Sequence, residues 1–126
     1  MPGVLIIEDD NELREMLKLS LARKRYIIQE AENGKDAINH FKPAVTDLVI
    51  TDLIMPEEDG LKVIMKLKEI KPSVKIIAIS GGGKAAPGSY LNLAKALGAD
   101  AIYSKPFSVS TMIGKIEELL SIEHQD

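Results

Sequence analysis

Asp52 stands just beyond an apolar run, Leu48-Val49-Ile50. A charge at the end of a buried segment costs free energy unless something there uses it. Other polar groups occupy equivalent places. Glu8, Asp9 and Asp10 follow Val4-Leu5-Ile6-Ile7, and Ser80 follows Val74-Lys75-Ile76-Ile77-Ala78-Ile79. Ser104, Lys105 and Pro106 follow Ala101-Ile102-Tyr103. Carboxylates gathered within ~4 Å repel by about 4 kcal/mol per pair at an effective dielectric near 20, so they coexist as anions only around a cation. A few oxygen ligands suit Mg²⁺, which keeps several waters and shares a phosphate with the protein. A lysine adds a point charge for phosphate, and a carboxylate can be a nucleophile that forms an acyl phosphate. The set is therefore suited to phosphoryl transfer to Asp52, with metal and lysine neutralising the transferred group.

These residues act together only if the chain brings them to one edge. The apolar runs above, together with Tyr26-Ile27-Ile28, are short and rich in β-branched residues, so they read as strands. Several lack polar alternation, as parallel strands covered on both faces do. Between them lie helical patterns. Leu13, Met16, Leu17 and Leu21 form one; Val109, Met112, Ile113, Ile116, Leu119 and Leu120 form another. Weaker ones are Ala37, Ile38, Phe41; Leu61, Ile64, Met65; and Leu91, Ala94, Leu97. Ser108 is placed to cap the last helix, Pro72 closes the third, and Gly98 sits where a C-cap residue belongs. Strand and helix alternate five times, which predicts an α/β domain with a parallel sheet and right-handed crossovers. In such sheets ligands bind outside the carboxyl ends of the strands, where the polar groups fall.

Taken singly, each group has a plain structural role. An Asp after a strand ordinarily caps a helix or closes a turn. Asp10 or Asn11 caps the first helix, and acids there favour its dipole. Lys105-Pro106 alone is a turn. The joint placement after four strands is what points to chemistry.

Composition narrows the classes. The chain has 126 residues, 45% hydrophobic and 28% charged, which fits one soluble domain with its core at about residues 3–122. The net charge of −3 argues against a nucleic-acid surface. There are no cysteines, and His40 and His124 lie far apart, which disfavours zinc. Neither a signal peptide nor a membrane span is visible, and a cytoplasmic protein is expected.

The motifs LIIEDDNELR, DLVITDLIMPEEDGL, IIAISGGG and GADAIYSKPF, in this order and spacing, resemble the receiver domain of bacterial two-component response regulators over nearly the whole chain. The resemblance implies a flavodoxin-like (βα)5 three-layer fold with strand order 2-1-3-4-5. It implies transfer of a phosphoryl group from a phosphohistidine of a sensor histidine kinase or histidine phosphotransfer protein. Asp52 matches the phosphoacceptor. Glu8 and Asp9 match the acidic pair, with Asp9 a direct Mg²⁺ ligand and Glu8 acting through water; Mn²⁺ is an alternative ion. The carbonyl of Ile54 matches a further metal ligand. Lys105 matches the phosphoryl-pairing lysine, and Pro106 a proline preceded by a cis peptide. Ser80 matches the switch hydroxyl, and Gly60 a turn glycine where positive φ is tolerated.

Three features depart from the family pattern. The switch aromatic three residues before the lysine is replaced by Ile102, and Tyr103 beside it should face the other way. A longer glycine-rich loop, 81–89, follows Ser80 and is expected to be mobile and to order on phosphorylation. The positions two after Asp52 and two after Ser80, which tune dephosphorylation in the family, are Ile54 and Gly82. Neither side chain can hold an attacking water, which predicts slow self-dephosphorylation.

The expected output is an unidentified downstream protein that binds one phosphorylation state, with the chain a monomer or weak homodimer and turning over no other substrate. A phosphorelay intermediate, a fragment of a hybrid kinase or transcriptional regulator, a phosphorylation-independent scaffold and a small phosphatase are the alternatives. Ile54 stands where such phosphatases place a second Asp, and intact Asp52, Lys105 and acidic pair argue against the scaffold.

Overall fold

Runs of Val, Leu and Ile flanked by polar residues build five strands: β1 (Gly3–Ile7), β2 (Ile27–Ala31), β3 (Leu48–Asp52), β4 (Lys75–Ser80) and β5 (Ala101–Ser104). They alternate with α1 (Asn11–Ala22), α2 (Gly34–His40), α3 (Gly60–Ile70), α4 (Pro87–Ala96) and α5 (Val109–Glu123). The structure is a computed structural model and describes residues 2–55, 58–81 and 87–123. The sheet is parallel throughout, in the order β2-β1-β3-β4-β5. Val4 pairs with Leu48, Asp52 with Ile79, and Ser80 with Ser104.

Strand alternation sends apolar side chains to both faces. Leu5, Ile7, Val49, Ile76 and Ala78 pack with Ala37 of α2, Val63, Ile64 and Leu67 of α3 and Ala94 of α4. Val4, Ile6, Leu48, Ile50, Ile77 and Ile79 pack with Leu17 and Leu21 of α1 and Met112, Ile116 and Leu120 of α5. The helices thus cover the sheet on both sides in a flavodoxin-like three-layer fold. Each fully buried Ile, Leu or Val contributes roughly 1.5–3 kcal/mol, so the central strands form a stiff base for what stands at their ends.

Four of the helices, α1, α2, α3 and α5, start at side-chain caps. Asp10 accepts from the N–H groups of Glu12 and Leu13, Asn33 from Asp36, Asp59 from Leu61, and Ser108 from Thr111. Gly98, just past α4, has φ of +122°, the left-handed conformation that closes a helix.

Several expectations needed adjustment. Strand β2 begins at Ile27 and runs on through Gln29 and Glu30, polar residues that an edge strand tolerates. Asp52 and Ser80 are the last residues of their strands, not the first residues beyond them. Met16 and Met65 lie outside the buried faces of α1 and α3 and are exposed. A two-rung antiparallel hairpin, Ile54–Met55 with Glu58–Asp59, was not foreseen. Gly60 opens α3 without a positive φ. Its glycine is needed for space: a Cβ there would lie 2.5 Å from Leu53 Cα and 2.8 Å from the Asp52 carbonyl oxygen.

Candidate functional site

The parallel ladder carries β1, β3, β4 and β5 to a common carboxyl edge. Backbone bonds extend it into the loops: Glu8 N–H donates to Ala31 O, Leu53 N–H to Ile79 O, and Lys105 N–H to Ser80 O. The site residues are thereby held by backbone on both sides.

Asp52 is 4% exposed. Its Oδ1 accepts from the Ile54 N–H at 3.1 Å, and its Oδ2 accepts from Lys105 Nζ at 2.9 Å. Glu8 is buried deeper, at 2% exposed. Its Oε2 accepts from the Asp10 N–H, while Oε1 lies 3.1 Å from Lys105 Nζ without the alignment of a hydrogen bond. One ammonium therefore faces two buried carboxylates. Asp9, on the exposed side, completes the group: carboxylate oxygens of Glu8, Asp9 and Asp52 all lie within 4.8 Å of one another.

The electrostatics follow from burial. Burial, then the charge of Asp52, pushes Glu8 up to about 7 from 4.5, against the Asp10 amide and Lys105. Burial alone would lower Lys105. The hydrogen bond and charge of Asp52, with the charge of Glu8, outweigh it and raise Lys105 above its ordinary value. Two of the three clustered carboxylates share a single lysine, and Glu8 Oε1 is a buried acceptor without a hydrogen bond. An added cation with oxygen ligands fits that arrangement, because it supplies both the missing charge and the missing partner.

Ser80 is fully buried on β4, and its hydroxyl donates to the Gly81 carbonyl at 3.4 Å. Among the described residues no hydrogen bond joins that hydroxyl to the Asp52 or Lys105 side chain; Ser80 is tied to Lys105 only through its carbonyl oxygen. Ile102 is half-buried against the α2–α4 side of the core, whereas Tyr103 packs on the other side, its ring 6.2 Å from that of Phe107. The Lys105–Pro106 peptide is cis. Ile54, whose backbone N–H donates to the Asp52 carboxylate, is 48% exposed. Gly82 and most of the 81–89 loop lie outside the described residues, as does His124.

The sequence reading missed Arg14. It stands one turn into α1, where its Nη1 donates to the Glu8 carbonyl oxygen at 2.6 Å and its Nη2 to Asn11 Oδ1. Its only sequence signal was an arginine following the acidic motif at a helical step.

The chain matches the response regulator receiver domain family over residues 4–117. It is 33% identical to the response regulator receiver protein CpdR of Brucella abortus, covering 95% of this chain and 98% of CpdR. It is 33% identical to the chemotaxis protein CheY of Thermotoga maritima, covering 92% of this chain and 95% of CheY. The crystal structure of the response regulator protein TrrA from Thermotoga maritima, in complex with Mg²⁺-BeF, superposes with a TM-score of 0.80 at 32% identity. That match covers 94% of this chain and 99% of TrrA.

Proposed function

Because the chain belongs to the receiver domain family of two-component response regulators, we propose that Asp52 accepts a phosphoryl group from a phosphohistidine. A carboxylate oxygen of Asp52 attacks phosphorus and the P–O bond forms. The P–N bond to the donor imidazole breaks, and its electron pair returns to the ring nitrogen, which takes up a proton as histidine departs. The observation that carries the reading is the contact of Lys105 Nζ with Asp52 Oδ2 inside a cluster of carboxylates.

Each residue has a role that its position supports. Asp52 is held at both oxygens, so it is oriented before the donor arrives. Lys105 stands within reach of an oxygen of the group bound to Asp52 and offsets its charge. Glu8, Asp9, Asp52 and the Ile54 carbonyl would hold Mg²⁺, or Mn²⁺ in its place. That ion supplies charge neutralisation on the transferring group. The Mg²⁺-BeF complex of TrrA supports this choice of metal. Ser80 turns from Gly81 toward the phosphorylated carboxylate, and Ile102 follows on the α4 side. The shift of a two-state equilibrium is then read by a partner protein.

The donor is a sensor histidine kinase or histidine phosphotransfer protein, and the recipient is a downstream protein that recognises one state. The chain acts in the cytoplasm as a signalling domain that processes no substrate beyond its own aspartate. Among the described residues no helix is long and apolar enough to cross a membrane. Intact mass after incubation with acetyl phosphate and Mg²⁺ tests the reading. The native chain gains one phosphoryl group and Asp52→Asn gains none. Absence of gain in the native chain, with Mg²⁺ binding confirmed, would overturn it in favour of a phosphorylation-independent scaffold.

A further inference from the structure

The loop bearing Glu8 and Asp9 is fastened from behind by one side chain. The Arg14 guanidinium donates to the Glu8 carbonyl and to Asn11 Oδ1. Its Nε lies 3.4 Å from Glu30 Oε1, and its Nη2 lies 3.9 Å from Glu32 Oε1. Lys18 reaches Glu30 as well, at 3.2 Å. The Arg14 side chain is only 13% exposed. A single group thus spans the end of β1, the start of α1 and the end of β2.

We infer that Arg14 is a positioning residue for the divalent-metal site, acting through the Glu8–Asp9 peptide. This rests on the reading of Glu8, Asp9 and Asp52 as metal ligands. The Glu8 carbonyl belongs to the rigid peptide plane that joins Glu8 to Asp9. Holding that oxygen fixes the plane's rotation, and so sets the directions in which both carboxylates leave the backbone. The other anchors leave that carbonyl free: Glu8 N–H donates to Ala31 O, Asp10 N–H to Glu8 Oε2, Lys105 pairs with the Glu8 carboxylate, and Asp10 is held to α1 by its carbonyl and side chain. Without Arg14 the peptide rotates, and the loop must be ordered when the metal binds. The rigid fork of an arginine reaches both acceptors and two acids at once, which a lysine cannot do.

The alternative role for Arg14 is electrostatic, and it predicts the opposite sign. A cation near a cation site opposes metal binding. If charge alone mattered, removing Arg14 would tighten Mg²⁺. If Arg14 positions the loop, removing it weakens Mg²⁺, on the scale of about 10–100-fold seen when an outer-shell partner is lost.

The test is Mg²⁺ titration followed by backbone amide NMR shifts, on the native chain, Arg14→Ala, Arg14→Lys and Lys18→Ala. The expected result is a loss of about tenfold or more in Arg14→Ala and partial recovery in Arg14→Lys. Lys18→Ala, which touches Glu30 but not the loop, keeps the native affinity. Unchanged or tighter Mg²⁺ binding in Arg14→Ala would overturn the inference, as would an equal loss in Lys18→Ala. If Arg14→Ala does not fold, Arg14→Gln carries the test, and native affinity in it overturns the inference. A native chain that binds no Mg²⁺ sinks the metal reading itself, which separates the two failures.

Discussion

Lys105 Nζ stands 2.9 Å from Asp52 Oδ2 and 3.1 Å from Glu8 Oε1. One lysine is therefore shared by two buried carboxylates, and a third, Asp9, lies within their reach. The cluster is short of positive charge. That shortage ties together the raised Glu8, the raised Lys105 and the fit of a divalent cation, and it gives opposite signs for two measurements on one variant.

Lys105→Gln removes the only cation facing Asp52 and Glu8 among the described residues. Phosphorylation of Asp52 by acetyl phosphate should slow on the order of a hundredfold, the scale for loss of one charge-stabilising donor. Mg²⁺ binding should tighten severalfold, because the carboxylates lose a competing positive charge. Stopped-flow phosphorylation and an Mg²⁺ titration on the same sample check both signs. A variant that binds Mg²⁺ more weakly would show Lys105 to be holding the site together.

Gly60→Ala places a methyl group against backbone that has no room to move. The nearest atoms are Leu53 Cα at 2.5 Å, Leu53 O at 2.6 Å and Asp52 O at 2.8 Å. The expected loss is about 1–3 kcal/mol, the range for overpacking a tight site, read as a lower denaturation midpoint at unchanged slope. The strain falls on Leu53 and on the backbone carbonyl of Asp52, the proposed phosphoacceptor, so phosphorylation should slow as well. Native stability in Gly60→Ala would refute the close packing of the Asp52–Gly60 segment.

Much of this arrangement was legible in the sequence, for identifiable reasons. Strand ends could be found because β-branched runs stop at Glu8, Asp52, Ser80 and Lys105, and a parallel sheet must bring those stops to one edge. Less was legible where an outcome depends on backbone geometry. The sequence points Gly60 to a positive φ, whereas the position requires glycine for space, and a glycine in a sequence reads the same either way. Periodicity places Met16 and Met65 on buried faces, yet both are exposed, because helical periodicity locates a face but not its width. Arg14 was missed because its main acceptor is a carbonyl oxygen, which no side-chain pattern marks.

Ile54 borders the Asp52 carboxylate and offers no hydrogen bond to an attacking water. Replacing it with Asn gives water a partner there, so the phosphorylated state should decay severalfold faster. Loss of label from the phosphorylated chain, followed at fixed Mg²⁺, measures the half-life. A longer half-life in Ile54→Asn would rule out shielding by the isoleucine.

The metal should matter more as pH rises. Burial first and the Asp52 charge second push Glu8 up to about 7 in the folded chain, from 4.5 as its ordinary value. A carboxyl raised on folding favours the folded state when protonated. Its contribution is fully present below about pH 4.5 and is lost as pH climbs to about 7. Above that, metal-free protein carries a buried anion at Glu8 that Lys105 compensates only in part. Mg²⁺ removes the penalty, so the rise in Tm on adding a fixed Mg²⁺ concentration should be small at about pH 5 and large at about pH 8. Glu8→Gln, which cannot ionise, should lose most of that pH dependence while Asp9 and Asp52 remain. Differential scanning calorimetry of both chains across this range separates the outcomes. An Mg²⁺ shift of equal size at both pH values in the native chain would mean that Glu8 is already ionised at pH 5, with the lysine alone sufficient to hold it.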